Sequence, residues 1–305
     1  MNDARFLRFS HTYTSTVWGG DGIRRRFGRD DAPEPCSESW EISAHPAGRS
    51  VVRGGKFDGV PLDALVERLG PALVGTKAPD ATKFPLLFKV IDARQPLSVQ
   101  VHPTENTAPL TGGEPKSEAW YVLGCSQGAS LYAGLRSPVE VDVLRVAVRN
   151  GGAIAGLINS IPATEGDFLY IPGGTPHSIG AGLMIYEVQQ SSNTTYRLYD
   201  WGRVGADGRP RTLHVEEALK SINCNAAPPL IRRGGLKTPY FTIRDVVLRE
   251  PERLVADGSS FIALFVASGA LVGARAGDSL LLPASGGEFV MEPAAPNTRV
   301  LVTTL

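Results

Sequence analysis

Polar side chains alternate with apolar ones in residues 97–103, which read LSVQVHP. On a β-strand this alternation places Ser98, Gln100 and His102 on one face. Imidazole and amide groups can hold a metal ion, and a hydroxyl group can bind phosphate. Most such rows simply face solvent, but the preceding residues 84–91, FPLLFKVI, are typical of a buried strand. We therefore expect a central sheet whose polar row lines a site.

Charged residues open the next predicted strand, residues 116–123, which read KSEAWYVL. Lys116 and Glu118 are two positions apart and therefore share one face of that strand. Lys89 lies within the apolar stretch before residue 97, where a cation is unusual. Lysine and glutamate at the start of a strand usually form a solvated pair, so this pair alone is a weak signal of a site, whereas Lys89 needs a reason to lie within a buried strand.

A glycine-proline turn precedes a second candidate histidine. Residues 166–177 read GDFLYIPGGTPH, which predicts a strand, a tight turn and a further strand beginning at His177. The segment 277–283, GDSLLLP, has the same form, and Glu288 stands at the offset where the first copy has His177. If the two segments belong to related units, the second lacks the usual imidazole ligands, since all five histidines precede residue 223.

Charge and composition exclude several classes of protein. The chain has 305 residues, with 31 Lys and Arg against 31 Asp and Glu, so no net charge steers it to nucleic acid or an anionic membrane. Its paired glycines lack the P-loop and dinucleotide fingerprints. The charged first residues do not resemble a secretion signal, and three widely spaced cysteines, Cys36, Cys125 and Cys224, indicate free thiols. We expect a cytoplasmic protein with no obligatory protein partner.

The elements that must position these residues are mostly strands. With 34 Gly and 23 Pro the sequence is turn-rich, which favours a mainly β fold. Helix-like spacing with acidic first turns predicts short helices over residues 60–74, 139–148 and 215–222. The apolar run 261–274 is shorter than the ~20 residues that a membrane-spanning helix needs. It predicts a buried pair of strands instead.

Two units are expected along the chain. Residues 223–235 contain two prolines and a glycine pair, a composition typical of a linker. We therefore predict that residues 1–222 form the unit that carries the site, with a few short helices. Residues 223–305 would form a C-terminal β unit without a metal site, whose role is packing or lid support.

The turn motif resembles the cupin superfamily. Gly166-x5-Pro172-x-Gly174-x2-His177 matches most of the second cupin motif, although Ala181 replaces the usual asparagine. Cupins are small β-barrels that bind a divalent metal through histidines and a glutamate on neighbouring strands. The usual first motif begins His-x-His and is followed closely by its glutamate, whereas this sequence has Gln-x-His and a distant glutamate.

Both departures are similar to the type I phosphomannose isomerases, more specifically to their shorter bacterial branch. The matching segments are Gln-x-His-Pro at 100–103, Lys-x-Glu-x-Trp-Tyr at 116–121 and the turn motif. VWGG at 17–20, SESWEIS at 37–43 and YRLYD at 196–200 extend the resemblance over most of residues 1–203.

The resemblance implies a fold, a metal and an activity. The fold would be a mainly β, cupin-type β-barrel or jelly roll with a few short helices and a second, degenerate β-sandwich. Arg197 would be the catalytic arginine. One Zn²⁺ would be held by four ligands, Gln100, His102, Glu118 and His177, of which Gln100 is the least secure. Two imidazoles, a carboxylate and an amide oxygen suit zinc and leave a position open for water or sugar.

The implied reaction interconverts mannose 6-phosphate and fructose 6-phosphate. A proton must move between C1 and C2 through an enediol or enediolate, so the site needs a base and a group that stabilises an oxyanion. Glu187 and Lys116 are the candidates for the base, and both stay open at this point. The phosphate must meet fixed donors, and Ser98, Lys89 and Lys116 are the candidates for binding it, because hydroxyl and ammonium groups both bind phosphate well. Arg197 follows the turn 191–193, and its strand is predicted to pair with residues 183–190.

Two other functions remain as alternatives. One is a cupin oxygenase or other cupin metalloenzyme, which Gln100 disfavours because a histidine usually occupies that position. Lys116 and Arg197 also fit an anionic substrate better. The other alternative is a non-catalytic, metal-containing protein that binds a sugar phosphate.

Overall fold

Strands dominate the structure, as the glycine and proline content predicts. The computed structural model describes residues 5–205 and 208–305. The strands of the first part of the chain are β1 (Thr12–Thr14), β2 (Glu38–Ile42), β3 (Leu86–Ala93), β4 (Val99–Val101), β5 (Glu118–Cys125), β6 (Ser130–Leu135), β7 (Ile158–Pro162), β8 (Phe168–Ile171), β9 (His177–Ile179), β10 (Leu183–Gln190) and β11 (Tyr196–Tyr199). Those of the last part are β12 (Gly235–Lys237), β13 (Thr242–Leu248), β14 (Glu252–Ala256), β15 (Ile262–Ser268), β16 (Ala270–Leu271), β17 (Ala274–Arg275), β18 (Ser279–Leu282), β19 (Gly287–Met291) and β20 (Thr298–Thr304).

Short helices lie between the strands. They are α1 (Gly22–Phe27), α2 (Leu62–Leu69), α3 (Pro71–Val74), α4 (Ala108–Thr111), α5 (Val141–Arg149) and α6 (Val215–Ser221), with 3-10 turns at Gly55–Phe57 and Gly151–Leu157. The three predicted helices are confirmed, but residues 60–74 form two helices. Gly70, at a φ of 51°, ends α2, and Pro71 begins α3, because glycine accepts positive φ and proline suits a helix start. The helices α1 and α4 were not predicted.

Two antiparallel sheets face each other in the first part of the chain. The strand order is β1-β2-β3-β10-β5-β8 in the larger sheet and β11-β4-β9-β6-β7 in the smaller. Trp120 and Ile185 of the larger sheet pack with Leu131 and Ile179 of the smaller in one apolar cluster. The predicted cupin-like jelly roll is thus confirmed. Within the described residues the two sheets stay open and do not close into a barrel.

The central strands of the larger sheet are buried on both faces. Successive side chains of a strand point to opposite faces, so β3 presents Phe88 outward and Lys89 inward, and β10 presents Tyr186 outward and Glu187 inward. Each of these four side chains is buried. The inner face contributes to the site, and the outer face is apolar and aromatic.

The C-terminal strands repeat the strand order of the larger sheet. The order β12-β13-β20-β15-β18 matches β2-β3-β10-β5-β8, and the two similar segments of the sequence form the edge strands β8 and β18. The interior of the second unit is apolar, with Leu254, Phe289 and Met291 buried. Glu288 is exposed and pairs with Arg253.

This C-terminal sheet covers the outer face of the larger sheet. The ring of Phe265 stacks on Tyr186 with their centroids 4.3 Å apart. A buried ion pair joins the same units, because Arg29 donates to both oxygens of Glu41 and to the carbonyl of Gly277. The hydroxyl of Ser279 donates to Glu41 as well. Aromatic packing and a satisfied ion pair therefore hold the two units together.

Two further expectations concern helices and thiols. Across residues 5–205 and 208–305, no helix has both the length and the apolar character required to cross a membrane. The apolar run 261–274 forms the buried strand β15 followed by the small hairpin β16–β17. Cys36, Cys125 and Cys224 are free cysteines, as predicted.

Replacing Phe265 with alanine tests the packing between the units. Phe265 is 0% exposed and contacts Tyr186 and Phe27, and removal of a buried phenylalanine costs about 3–5 kcal/mol. We expect the free energy of unfolding, measured by urea denaturation, to fall by that amount. The control is Val255→Ala, at a position 52% exposed, which should change it by less than about 0.5 kcal/mol. Equal effects would show that Phe265 does not support the interface.

Candidate active site

One row of side chains crosses the interior of the smaller sheet. Arg197 in β11 lies opposite Gln100 in β4, and Gln100 lies opposite His177 in β9. Cross-strand partners project to the same face, so these three side chains stand side by side. The predicted pairing of the Arg197 strand with residues 183–190 is wrong, because β11 pairs with β4 in the opposite sheet. The turn after β10 carries the chain from one sheet to the other.

A second row crosses the interior of the larger sheet. Lys89 in β3 lies opposite Glu187 in β10 on one side and Trp40 in β2 on the other. Glu187 in turn lies opposite Trp120 in β5, and Glu118 is at the start of β5. The two facing rows bring together residues that are far apart in the sequence.

Three buried side chains of the ligand type converge between the sheets. Nε2 of His102 lies 3.3 Å from Oε2 of Glu118, and Nε2 of His177 lies 3.4 Å from Oε1 of the same carboxylate. Each side chain is 1% exposed. Among the described residues, this is the one group of three or more His, Cys, Asp or Glu side chains with ligand atoms within 4.8 Å of one another. We call it the His102–Glu118–His177 cluster.

Both imidazoles of the cluster are neutral at pH 7. Burial, together with the Lys116 ammonium, lowers the pKa of His102 to about 3. Burial also lowers the pKa of His177. The Nδ1 atom of His177 lies 2.8 Å from the carbonyl oxygen of Thr175, and a hydrogen bond there leaves the lone pair of Nε2 facing Glu118. Neutral imidazole is the form that binds a metal.

The carboxylate of the cluster is charged and short of donors. Burial alone would raise the pKa of Glu118, but the Lys116 ammonium outweighs it and holds that pKa well below the usual range. Neither oxygen of Glu118 accepts a hydrogen bond from a described residue, although Nζ of Lys116 lies 2.8 Å from Oε2. A buried anion between two imidazole lone pairs is a donor set that fits a divalent metal ion.

Gln100 lies beside the cluster. Its Nε2 is 3.3 Å from Nε2 of His177, and its Oε1 accepts a hydrogen bond from Ser98 at 3.2 Å. Rotation of the amide by half a turn would present Oε1 to His177 instead. The side chain therefore has the position that a fourth ligand would need, and Ser98 is in contact with it.

Lys89 and Glu187 belong to a buried group of charges next to the cluster. Nζ of Lys89 lies 3.4 Å from Oε2 of Glu38 and 3.6 Å from Oε1 of Glu187. Burial would lower the pKa of Lys89, but these two carboxylates raise it, so the side chain is an ammonium. Burial and the charge of Glu118 raise the pKa of Glu187, whose Oε2 accepts from Nε1 of Trp120 at 3.1 Å.

A cavity of about 380 Å³ connects the two rows. Lys89, Lys116 and Glu187 line it from the larger sheet and its edge, and Gln100 and Arg197 line it from the smaller. The volume lies in the lower part of the range for small-molecule sites. Every residue predicted for the site either lines this cavity or belongs to the adjacent cluster.

Four residues near the cavity were not among the predicted site residues. Glu38 and Trp40 contact Lys89, and their alternation in SESWEIS is the sequence signal that could have indicated them. Asp200 and Arg211 form an ion pair near Arg197, and no local pattern links them.

The remaining histidines, His11, His45 and His214, lie outside the cluster. His11 contacts Glu41, and His45 contacts Glu114. Nδ1 of His214 accepts from the backbone N–H of Arg197 at 3.3 Å.

Facing sheets with a buried His-Glu-His cluster that could hold a metal ion define a protein of the cupin type. The sequence pattern of the phosphomannose isomerase type I catalytic domain matches residues 6–121. The mannose-6-phosphate isomerase of Streptococcus mutans is 40% identical over 238 residues, 74% of each chain. The isomerase ManA of Bacillus subtilis is 31% identical over 306 residues, 94% of this chain and 95% of ManA. This chain belongs to the type I phosphomannose isomerase family.

The fold agrees with that assignment. The crystal structure of the mannose 6-phosphate isomerase from Bacillus subtilis superposes with a TM-score of 0.87 at 28% identity, covering 98% of this chain and 99% of that chain. The similarity therefore includes the C-terminal strands as well as the residues around the cavity.

Replacing His177 with alanine tests the cluster as a metal site. Loss of a group that only orients a ligand costs about 10–100-fold in metal affinity, so loss of the ligand itself should cost at least about 100-fold. Metal per chain, measured by mass spectrometry of the gel-filtered protein, should fall sharply. His214→Ala, a histidine outside the cluster, is the control and should keep the wild-type metal content. Full retention of metal by the His177 variant would contradict the ligand assignment.

Proposed function

We propose that this protein is a mannose-6-phosphate isomerase, which interconverts mannose 6-phosphate and fructose 6-phosphate through an enediol or enediolate. The proposal rests on one observation: the interior side chains of the two facing sheets line a single cavity. The cluster, a buried carboxylate and several cations surround one cavity. Membership of the family supports the same activity. The substrate is a small sugar phosphate, which matches the size and charge of the cavity.

The proposed cofactor is one Zn²⁺, held by His102, Glu118 and His177 with Gln100 as the fourth ligand. Two neutral imidazoles, one carboxylate and an amide oxygen favour zinc over the harder Mg²⁺ and Ca²⁺, which prefer sets made entirely of oxygen. When bound, zinc would polarise the sugar oxygens as a Lewis acid.

We propose Glu187 as the group that moves the proton. Its Oε1 is buried without a hydrogen-bond partner among the described residues, and its raised pKa, caused by burial and by Glu118, makes the carboxylate a stronger base. Glu187 would take the proton from C2 of the open-chain aldose while O1 gains a proton, which gives the enediol. The proton then returns to C1 as O2 loses its own, which gives the ketose.

Lys116 would stabilise the oxyanion in this scheme. Its contacts at 2.8 Å with Glu118 and at 3.1 Å with His102 fix the ammonium at the inner part of the cavity. An ammonium held in a dry site stabilises negative charge on a sugar oxygen more strongly than it could in water. Lys116 was a candidate base, but an ammonium beside a carboxylate is better suited to donate.

Arg197 would be the catalytic arginine at the more open part of the cavity. Its Nη1 donates to the carbonyl of Thr212 at 2.7 Å, which fixes the guanidinium. Its Nε is buried and has no partner in the described part of the chain. Ser98, Lys89 and Lys116 are the proposed residues that bind the substrate, since each lines the same cavity.

We propose two domains, with the site in residues 1–222 and a cupin-like β domain without a metal site in residues 223–305. The repeated strand order and the separate apolar core of the last strands support this division.

Three free cysteines support a reducing compartment, and we propose the cytoplasm.

Turnover with and without metal tests the proposed function. The purified protein should convert fructose 6-phosphate to mannose 6-phosphate, lose that activity after chelation and regain it with zinc. Iron-dependent oxygen consumption would favour a cupin oxygenase instead. A folded, zinc-loaded protein that binds the sugar phosphate without turnover would favour a non-catalytic function.

Exchange of carbon-bound hydrogen tests the roles of Glu187 and Arg197. In D2O the wild type should introduce deuterium at C1 of fructose 6-phosphate, as followed by NMR. Loss of a general base costs about 10²–10⁴-fold in rate, so Glu187→Gln should lose exchange and turnover together. Arg197→Ala should keep its metal and lose most turnover. Glu165→Gln, an exposed carboxylate, is the control. Wild-type exchange by the Glu187 variant would exclude it as the base.

A further inference from the structure

Positive charge is distributed unevenly along the cavity. At the inner end, Lys89 lies within 3.6 Å of two carboxylates and Lys116 lies 2.8 Å from a third. Their charges are therefore largely compensated by the protein. Arg197 and Arg211 line the other end of the cavity. The charged groups that face Arg197 there are Arg211, Arg203 and one carboxylate, that of Asp200.

Asp200 holds Arg211 in a defined orientation. Nε of Arg211 donates to Oδ2 at 2.6 Å, and Nη2 donates to Oδ1. The carboxylate is 6% exposed and the Arg211 side chain 22% exposed. This pairing uses one edge of the guanidinium. The structure gives Nη1 of Arg211 no acceptor among the described residues, so a second pair of N–H groups remains for a ligand.

Arg203 shares the same carboxylate but differs in its other contacts. Its Nη2 donates to Oδ1 of Asp200 at 2.5 Å, its Nε to the carbonyl of Asp200 at 3.3 Å and its Nη1 to the carbonyl of Pro96 at 2.6 Å. Each nitrogen of this guanidinium therefore has a protein acceptor. Arg203 does not line the cavity, so its role is to fix Asp200.

The segment that carries Arg211 lies along β11. The backbone N–H of His214 donates to the carbonyl of Arg197 at 2.8 Å, and Nη1 of Arg197 donates to the carbonyl of Thr212 at 2.7 Å. Arg197 and Arg211 are thus fixed side by side on adjoining segments. The unpartnered, buried Nε of Arg197 is a further donor at the same end.

We infer that Arg211, oriented by Asp200, binds the phosphate group of the substrate, an inference that rests on the proposed isomerase function. Among the described residues at this end of the cavity, three guanidiniums and the single carboxylate of Asp200 leave a net charge of two positive units. A phosphate monoester carries about −1.5 to −2 at pH 7, and a guanidinium edge binds phosphate through two parallel hydrogen bonds. The phosphate would lie between Arg197 and Arg211, which directs C1 and C2 toward Glu187 and the cluster.

Binding of inorganic phosphate provides a test that does not depend on turnover. The dissociation constant of phosphate is measured by calorimetry on the metal-loaded protein and its variants at low ionic strength. Loss of a charged, bidentate contact should weaken binding roughly tenfold or more in Arg211→Gln. Arg253→Gln removes the same charge and a contact to a carboxylate, that of Glu288, yet should stay within about twofold of the wild type, because Arg253 is an exposed residue of the C-terminal unit and does not line the cavity.

The variant Asp200→Asn distinguishes the effect of the orientation of Arg211 from the effect of the net charge of the cavity. This variant makes the mouth of the cavity more positive, so charge alone predicts tighter phosphate binding. If Asp200 acts as a positioning residue, phosphate binding weakens instead, because the guanidinium of Arg211 loses its fixed orientation. Arg211→Lys should recover part of the affinity lost in Arg211→Gln, since the ammonium keeps the charge without the bidentate edge. Thermal unfolding of each variant checks that it is folded.

Steady-state kinetics link the site to the reaction. In Arg211→Gln the KM for fructose 6-phosphate should rise at least roughly tenfold with kcat changed much less, the pattern of lost binding to a part of the substrate that does not react. Unchanged phosphate affinity in Arg211→Gln, equal losses in Arg253→Gln, or tighter binding in Asp200→Asn would each overturn the inference. If the wild type binds phosphate through Arg211 but turns over no hexose phosphate, the proposed function fails while the phosphate site stands.

Discussion

Burial of the larger sheet on both faces is the constraint on which the rest of the structure depends. A strand between two layers presents alternate side chains to opposite environments, and β3 and β10 use this alternation to separate charge from apolar surface. Lys89 and Glu187 point to the cavity, while Phe88 and Tyr186 point to the C-terminal unit. The proposed catalytic groups can be dry because the face behind them is covered. The C-terminal sheet is therefore part of what makes the site possible, although it contributes no ligand to the cluster.

Charges in this interior are stable only as a connected set. Removing one partner of a buried ion pair costs about 3–5 kcal/mol, because the other charge is left without compensation. Lys89 lies between Glu38 and Glu187, and Lys116 lies against Glu118. Lys89 thus keeps Glu38 ionised and Lys116 keeps Glu118 ionised, and Glu38 and Glu187 keep Lys89 charged in turn. Among the described residues, the oxygens of this group that are buried without a hydrogen-bond partner are Oε1 of Glu187 and both carboxylate oxygens of Glu118.

Much of the site could be predicted from local sequence patterns, and the remainder depends on pairing between distant strands. The turn before His177 and the alternation around Gln100 and His102 are encoded within a few residues, so the cluster was predictable. Arg197 was identified by its motif, but its strand partner was wrong because no local feature marks where the chain changes sheets. Asp200 and Arg211 meet because the chain that follows β11 turns back, with Val204 bridged to Pro210, and no local motif marks that contact. The similar sequence segments that begin at Gly166 and Gly277 predicted a repeated unit. The matching strand orders show that the repeat extends to a whole sheet.

The order of the two units along the chain has a consequence for synthesis on the ribosome. The strands β3, β5 and β10 are complete before residue 191, whereas Phe265, which covers Tyr186, is made much later. At about 5–20 residues per second, the sheet would wait for several seconds with its aromatic outer face uncovered. During that interval the nascent protein resembles a folding intermediate that attracts chaperones or associates with itself. The final strands thus end the period in which the growing chain is most prone to aggregate.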